Sequence, residues 1–235
     1  MTTCREALGL VLDSVSPLPP RLTPLFEALG LVLADRVVSP ETVPPFTNSA
    51  MDGYAVRAGD LSAASRAAPA LLEVLADLPA GSVAAHDVRP GTAIRIMTGA
   101  PLPAGADAVV PVEATTSAEG RVRIAAPVKA GANVRYAGED LREGEELLPA
   151  GFALTPAALG VLASVGLAEV PVRPRVRVAI LTTGDELVEA SAKPGPGQIR
   201  DSNVQTMCGQ AAAFGAVPVP IPRVPDAREA VTAAL

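Results

Sequence analysis

Apolar residues recur at helical spacing over residues 3–13, and Pro17, Pro19 and Pro20 forbid that segment from continuing. Thr23–Pro24 offers an N-cap followed by proline at the first helical position. Leu25, Ala28, Leu29, Val32 and Leu33 then share one face, and Glu27 adds a favourable first-turn charge, which predicts a helix ended by Pro40, Pro44 and Pro45. From residue 45 to 140 the period shortens to that of strands separated by glycine and proline turns. Predicted strands are 53–56, 93–97, 108–113 and 121–124, and only the alanine-rich stretch 61–67 reads as helical. A helix over 155–165 follows, opened by Thr-Pro and closed by Gly166.

The last third changes period again. Residues 175–182 form a largely apolar strand of the kind buried on both faces in a parallel sheet. The loop 194–197 leads to Asp201, Ser202 and Asn203, good N-cap residues, and to a helix reaching Phe214 with Gly215 behind it. Residues 217–224 read as a second strand, placed at an edge by Pro218, Pro220 and Pro222. Asp226 and Glu229 then form a variant capping box for a final helix. Two parallel strands and two helices cannot cover their own apolar faces, so this α/β unit is expected to be incomplete within the 235 residues.

Composition narrows the class. Nearly half of the residues are hydrophobic and a fifth are charged, which suits a folded globular chain rather than a disordered one. Apolar runs such as 7–12 and 178–181 are too short to span a membrane, and the start does not read as a secretory signal, so a cytoplasmic location is expected. Net charge is −6, only Lys129 and Lys193 are lysines, and there is no tryptophan, so nucleic acid is not an expected partner. Cys4 and Cys208 cannot make a disulfide framework or a zinc site. Cys208 shares a helical face with Val204, Met207 and Ala211 and is expected to be buried, whereas the lone His86 is expected in a surface loop.

Four clusters carry candidate chemistry. The first runs from Asn48 and Ser49 to Met51, Asp52, Gly53, Tyr54 and Ala55. The second is Ile96, Met97, Thr98, Gly99, Ala100 and Pro101, and the third is Gly138, Glu139 and Asp140. The fourth, Thr182, Thr183, Gly184, Asp185, Glu186 and Leu187, lies at the carboxyl end of the buried strand, with Asp201, Ser202 and Asn203 at the next helix start. Open α/β sheets bind ligands there, where helix N-termini offer amide donors to anions, and paired carboxylates suit a hard divalent ion. Taken singly, Asp52, Asp140 and the Asp185–Glu186 pair also fit ordinary solvent-facing turns.

Together the clusters resemble molybdopterin molybdenumtransferases, the gephyrin E-domain-like family of molybdenum cofactor biosynthesis. The resemblance covers nearly the whole chain and corresponds to the N-terminal portion of that family. It implies a multidomain α+β fold with a small helix/strand hub, a β-rich module and an incomplete α/β (Rossmann-like, molybdopterin-binding) domain. The expected boundaries are an N-terminal helical segment at 1–25 packing on the α/β domain, a hub at 26–44 and 141–174, a β-rich module at 45–140, and a truncated α/β domain at 175–235. It implies insertion of molybdate into adenylylated molybdopterin with release of AMP, dependent on magnesium. Asp52, Thr98, Asp140 and Glu186 become the expected catalytic residues, and Asp52 and Glu186 the expected metal ligands. Ser49, Thr183, Gly184, Asp185, Asp201, Ser202 and Asn203 become the expected cofactor-binding residues.

The resemblance further implies a homodimer, with each site combining Asp52 of one protomer and Glu186 of the other, and points to the adenylyltransferase of the same pathway as a partner. The family pattern continues with oxyanion-contacting loops beyond residue 235, so this stretch alone is expected to be inactive and does not distinguish molybdate from tungstate. Leu31 stands where the family often has arginine. A non-catalytic gephyrin-like scaffold and an adenylyltransferase-type domain are the alternatives. The scaffold lacks an interaction tail here, and the 48–54 module argues against the adenylyltransferase.

Overall fold

A computed structural model describes residues 2–234. The chain forms two compact units: residues Val38–Leu147, and the residues up to Val37 together with those from Leu148 onward.

The Val38–Leu147 unit is built on a six-stranded sheet. Its strands run in the order Ala108–Pro111, Gly53–Val56, Thr92–Ile96, Ala70–Leu78, Arg121–Ile124 and Thr115–Ala118. All neighbours are antiparallel except Ala70–Leu78 with Thr92–Ile96, which are parallel and change register between Val74 and Asp77. Successive side chains of a strand point to opposite faces. Tyr54 and Val56 therefore join Ala93, Ala108 and Val110 in one buried cluster, while Ala55 joins Ile94, Ile96 and Val109 in another. Burial on both faces explains why 53–56 reads as a continuous apolar run rather than an alternating one. Gly53 is required at its start, because a Cβ there would lie 2.1 Å from the Val110 carbonyl oxygen of the neighbouring strand.

The helix expected over 61–67 is instead a single 3-10 turn, Ala58–Leu61. Tertiary hydrogen bonds decide this. The Ala58 N–H donates to Asp107 Oδ1 (2.6 Å), and Asp60 Oδ2 accepts from the Gly91 N–H (2.9 Å). His86 is exposed in a loop, as expected.

In the other unit, Arg21–Pro24, Glu169–Arg173 and Val32–Leu33 form a three-stranded antiparallel sheet. The helix expected through Leu25 to Leu33 does not form. Thr23 and Pro24 extend a strand paired with Val170 and Glu169, one 3-10 turn spans Leu25–Glu27, and Gly30 takes a φ of 72° that an ordinary side chain rarely adopts. Cross-strand pairing outweighs the local capping signal because it also buries Thr23, Leu33 and Val172. The helix Pro156–Ser164 does follow its local signals. The Thr155 hydroxyl accepts from the Ala158 N–H at 3.2 Å, proline opens the first turn, and Leu162 is fully buried.

The N-terminal helix lies where its apolar spacing and the prolines behind it placed it. A capping box of Thr3 and Glu6 starts the helix Cys4–Ser14, which buries none of its side chains among the described residues.

Toward the C-terminus, Arg177–Ile180 and Val217–Pro220 pair in parallel, and the helix Asn203–Ala213 packs against both. The first strand was expected to be buried on both faces, yet only Ile180 is buried. Among the described residues it has one strand neighbour and one packing helix, which leaves Val178 and Ala179 uncovered. Val217–Pro220 likewise pairs on one side only among the described residues, as its prolines require. The Cys208 face of the helix is half-buried rather than buried, and Met207 on it is exposed. No helix of the described residues is long and apolar enough to cross a membrane.

Candidate functional site

The sequence-predicted residues fall into two loci, one in each compact unit. Ser49, Asp52, Thr98 and Asp140 lie in the Val38–Leu147 unit, and the seven residues from Thr183 to Asn203 lie in the other.

In the first locus, backbone hydrogen bonds join segments distant in sequence. Ser49 N–H donates to the Ala100 carbonyl, Gly99 N–H to the Ser49 carbonyl, and Ala50 N–H to the Asn133 carbonyl. This places the turn before strand Gly53–Val56 against the turn after strand Thr92–Ile96. Asp52 Oδ1 accepts two hydrogen bonds from Thr98, from its N–H and its hydroxyl, both at 2.7 Å. The Thr98 N–H, then its hydroxyl, then the Arg95 charge hold the Asp52 carboxyl below the ordinary aspartate range. Asp52 and Thr98 are both exposed, and Asp52 Oδ2 accepts no hydrogen bond from the described residues. The result is an ionised carboxylate with one oxygen fixed and the other available.

Ser49 has a different place. It is buried, its hydroxyl donates to the Met51 carbonyl at 2.6 Å, and it accepts from the Met51 N–H at 3.3 Å. Its hydroxyl shapes the turn that presents Asp52. Asp140 is exposed and paired with Arg135, whose Nη2 lies 2.5 Å from Asp140 Oδ2 while its Nε reaches Glu139 Oε1 at 2.5 Å. Arg135 above all, with the Tyr136 N–H, keeps the Glu139 carboxyl below its usual range. The strand Val134–Arg135 pairs with Asn48–Ser49, so the arginine that holds Asp140 is anchored to the strand leading into Asp52. Sequence reasoning missed Arg135, although its spacing from Glu139 was legible.

The second locus lies at the carboxyl ends of the parallel strands. Asp201 is buried and both its carboxylate oxygens accept hydrogen bonds from the chain. Its Oδ2 accepts from the Thr182 hydroxyl at 2.5 Å, and its Oδ1 from the Asn203 and Val204 N–H groups at 3.1 and 3.2 Å. Thr182 first, then the two amides, hold its carboxyl below the usual range. Asp201, rather than Ser202, thus caps the helix Asn203–Ala213, and the Ser202 side chain makes no cap bond. Thr183 forms a parallel bridge with Val224, Asp185 Oδ1 lies 3.4 Å from the Asp226 N–H, and the Gly184 carbonyl accepts from Arg223 Nη1 at 3.1 Å. Thr183, Asp185 and Glu186 are exposed. Thr182 was named in the fourth cluster without its partner, which lies 19 residues away, and Arg223 was missed, because its partner lies 39 residues away. A cavity of about 420 Å³ opens beside this loop, lined among others by Thr182, Asp201, Gln205 and Arg223.

Among the described residues no group of three or more His, Cys, Asp or Glu is placed to hold a metal ion. Magnesium commonly takes one or two carboxylates and completes its shell with water and substrate phosphates. Asp52, with one oxygen oriented and one open, suits that role.

Comparison with known proteins gives concordant results. Residues 2–166 match the MoeA N-terminal region (domain I and II), and residues 179–235 match a probable molybdopterin binding domain. The chain is 46% identical over 203 residues to molybdopterin molybdenumtransferase 2 of Mycobacterium tuberculosis, covering 86% of this chain and 50% of the relative. It is 39% identical over 224 residues to the molybdopterin molybdenumtransferase of Synechococcus elongatus, covering 94% of this chain and 56% of the relative. The crystal structure of the molybdopterin biosynthesis moeA protein of Pyrococcus horikoshii superposes with a TM-score of 0.91 at 35% identity, over 98% of this chain and 62% of that one. The chain thus spans about half the length of the curated relatives it matches. With a mixed α+β architecture of the same kind and a family match over most of its residues, the chain belongs to the molybdopterin molybdenumtransferase (MoeA) family.

Proposed function

We propose that this chain serves molybdenum cofactor biosynthesis as part of a homodimeric molybdopterin molybdenumtransferase that inserts molybdate into adenylylated molybdopterin and releases AMP. The observation that carries this reading is the Asp52 carboxylate, ionised and oriented by two hydrogen bonds from Thr98, both residues lying in segments that resemble the family's motifs. Asp52 and Glu186 are the carboxylates that would hold magnesium, which when bound polarises the phosphoanhydride and neutralises charge on the leaving AMP. Thr98 fixes which Asp52 oxygen stays open, and Arg135 fixes Asp140 at the surface of the same unit. The loop 183–186 and the cavity beside it would receive the pterin nucleotide, with Asp201 shaping that end of the fold from within. The adenylyltransferase of the same pathway would supply the substrate.

The test is a chimera in which residues 1–235 replace the matching part of the Synechococcus relative. It should release AMP from adenylylated molybdopterin in a molybdate- and magnesium-dependent way. Asp52→Ala and Glu186→Gln should each be nearly inactive as homodimers. Refolding the two variants together should restore about a quarter of the parent activity, because half of randomly paired dimers are mixed and each mixed dimer has one intact site. Full turnover by a correctly folded Asp52→Ala chimera would overturn the reading.

A further inference from the structure

The 420 Å³ cavity lies directly beyond the carboxyl ends of strands Arg177–Ile180 and Val217–Pro220. Val188, Ala190, Val204 and Ile221 give it apolar walls. Three charged side chains line it, Glu189, Asp201 and Arg223. An anion at such a place is ordinarily met by the free N–H groups of the following helix. Here that end is closed. Asp201 Oδ1 already takes the Asn203 and Val204 amides, so a negative charge sits where the anion would.

Glu189 and Asp201 both repel an anion, and Arg223 is the only cation among the lining residues. Its Nη1 donates to the Gly184 carbonyl, which anchors the guanidinium at the cavity wall. The Val224 N–H donates to the Thr182 carbonyl at 3.2 Å, and Val224 bridges Thr183, so the backbone next to Arg223 is held against the same loop. A guanidinium carries five N–H donors, and the single bond to Gly184 leaves a fork available for two phosphate oxygens.

We propose that Arg223 reads the phosphate of the ligand in this cavity, and that the ligand is a phosphorylated flat heterocycle whose ring lies against the apolar walls. The proposal rests on the molybdopterin reading above and assigns its anionic end to one side chain.

The experiment is calorimetric titration of the 235-residue chain with molybdopterin and with the same pterin after removal of its phosphate. The intact chain should prefer the phosphorylated form, and added salt should weaken that preference. Arg223→Gln keeps a donor for the Gly184 carbonyl but removes the charge. It should weaken molybdopterin binding about ten- to hundredfold, close to the affinity of the dephosphorylated form. Arg223→Lys should recover part of the loss. Glu189→Gln, whose side chain makes no hydrogen bond in the described structure, should tighten binding. Undiminished binding by Arg223→Gln, with the parent chain binding normally, would overturn the role of Arg223 and leave the molybdopterin reading standing. A parent chain that binds neither form would overturn both.

Discussion

The Thr182–Asp201 hydrogen bond should couple the stability of the C-terminal α/β segment to pH. Thr182→Val preserves the shape of the side chain and removes only the hydroxyl that donates to Asp201 Oδ2 at 2.5 Å. Both residues are largely buried, at 9% and 8% exposure. A hydrogen bond to a charged group contributes about 1.5–3 kcal/mol, and that is the expected loss near neutral pH. Asp201 has its folded-state pKa depressed, chiefly by Thr182, so the stability it contributes is present above its unfolded pKa and disappears as pH falls through the lower folded value. The difference between parent and variant should therefore be largest near neutrality and shrink in acid. Because the chain forms two compact units, a global unfolding midpoint would mix their responses. Amide hydrogen exchange of the helix Asn203–Ala213 reports the local opening instead, and its protection should fall about ten- to hundredfold in the variant. Unchanged protection, or a loss equally large at neutral and acid pH, would refute this account of Asp201.

Two further outcomes concern the β-rich unit. Gly53→Ala would put a methyl group 2.1 Å from a backbone carbonyl in the middle of the sheet, where neither strand can yield. It should destabilise the Val38–Leu147 unit by about 3 kcal/mol, read as a lowered urea midpoint by circular dichroism, and an unchanged midpoint would contradict the packing described. Thr98→Val removes the hydroxyl donor to Asp52 and should raise the Asp52 pKa toward the ordinary aspartate range in a carboxyl NMR titration. A titration curve identical to the parent's would show that the Thr98 hydroxyl does not contribute to the state of that carboxylate.

Several features follow from short-range chemistry and were legible in the chain itself. Thr155, Pro156 and Gly166 bracket a helix because a cap, a fixed φ and a terminating glycine act within one turn of their targets. Strands 53–56 and 121–124 sit where the apolar period placed them, and the four motif clusters named the family. The Leu25–Leu33 stretch carries an equally good local helix signal, yet it is a turn and a strand, because pairing with Glu169–Arg173 lies far away in sequence and contributes burial that no local pattern records. The same distance hid the duties of individual side chains. Asp201, expected among the binding residues, also accepts hydrogen bonds from Thr182, Asn203 and Val204 that tie it into the fold. Arg223 fell inside the predicted strand 217–224 with no role of its own until the fold set it against Gly184, 39 positions earlier. Residue types and their spacing determined the family and the inventory of reactive groups. Which of those groups are tied into the scaffold was decided by tertiary structure, because a hydrogen bond engages an acceptor whatever the sequence distance of its donor.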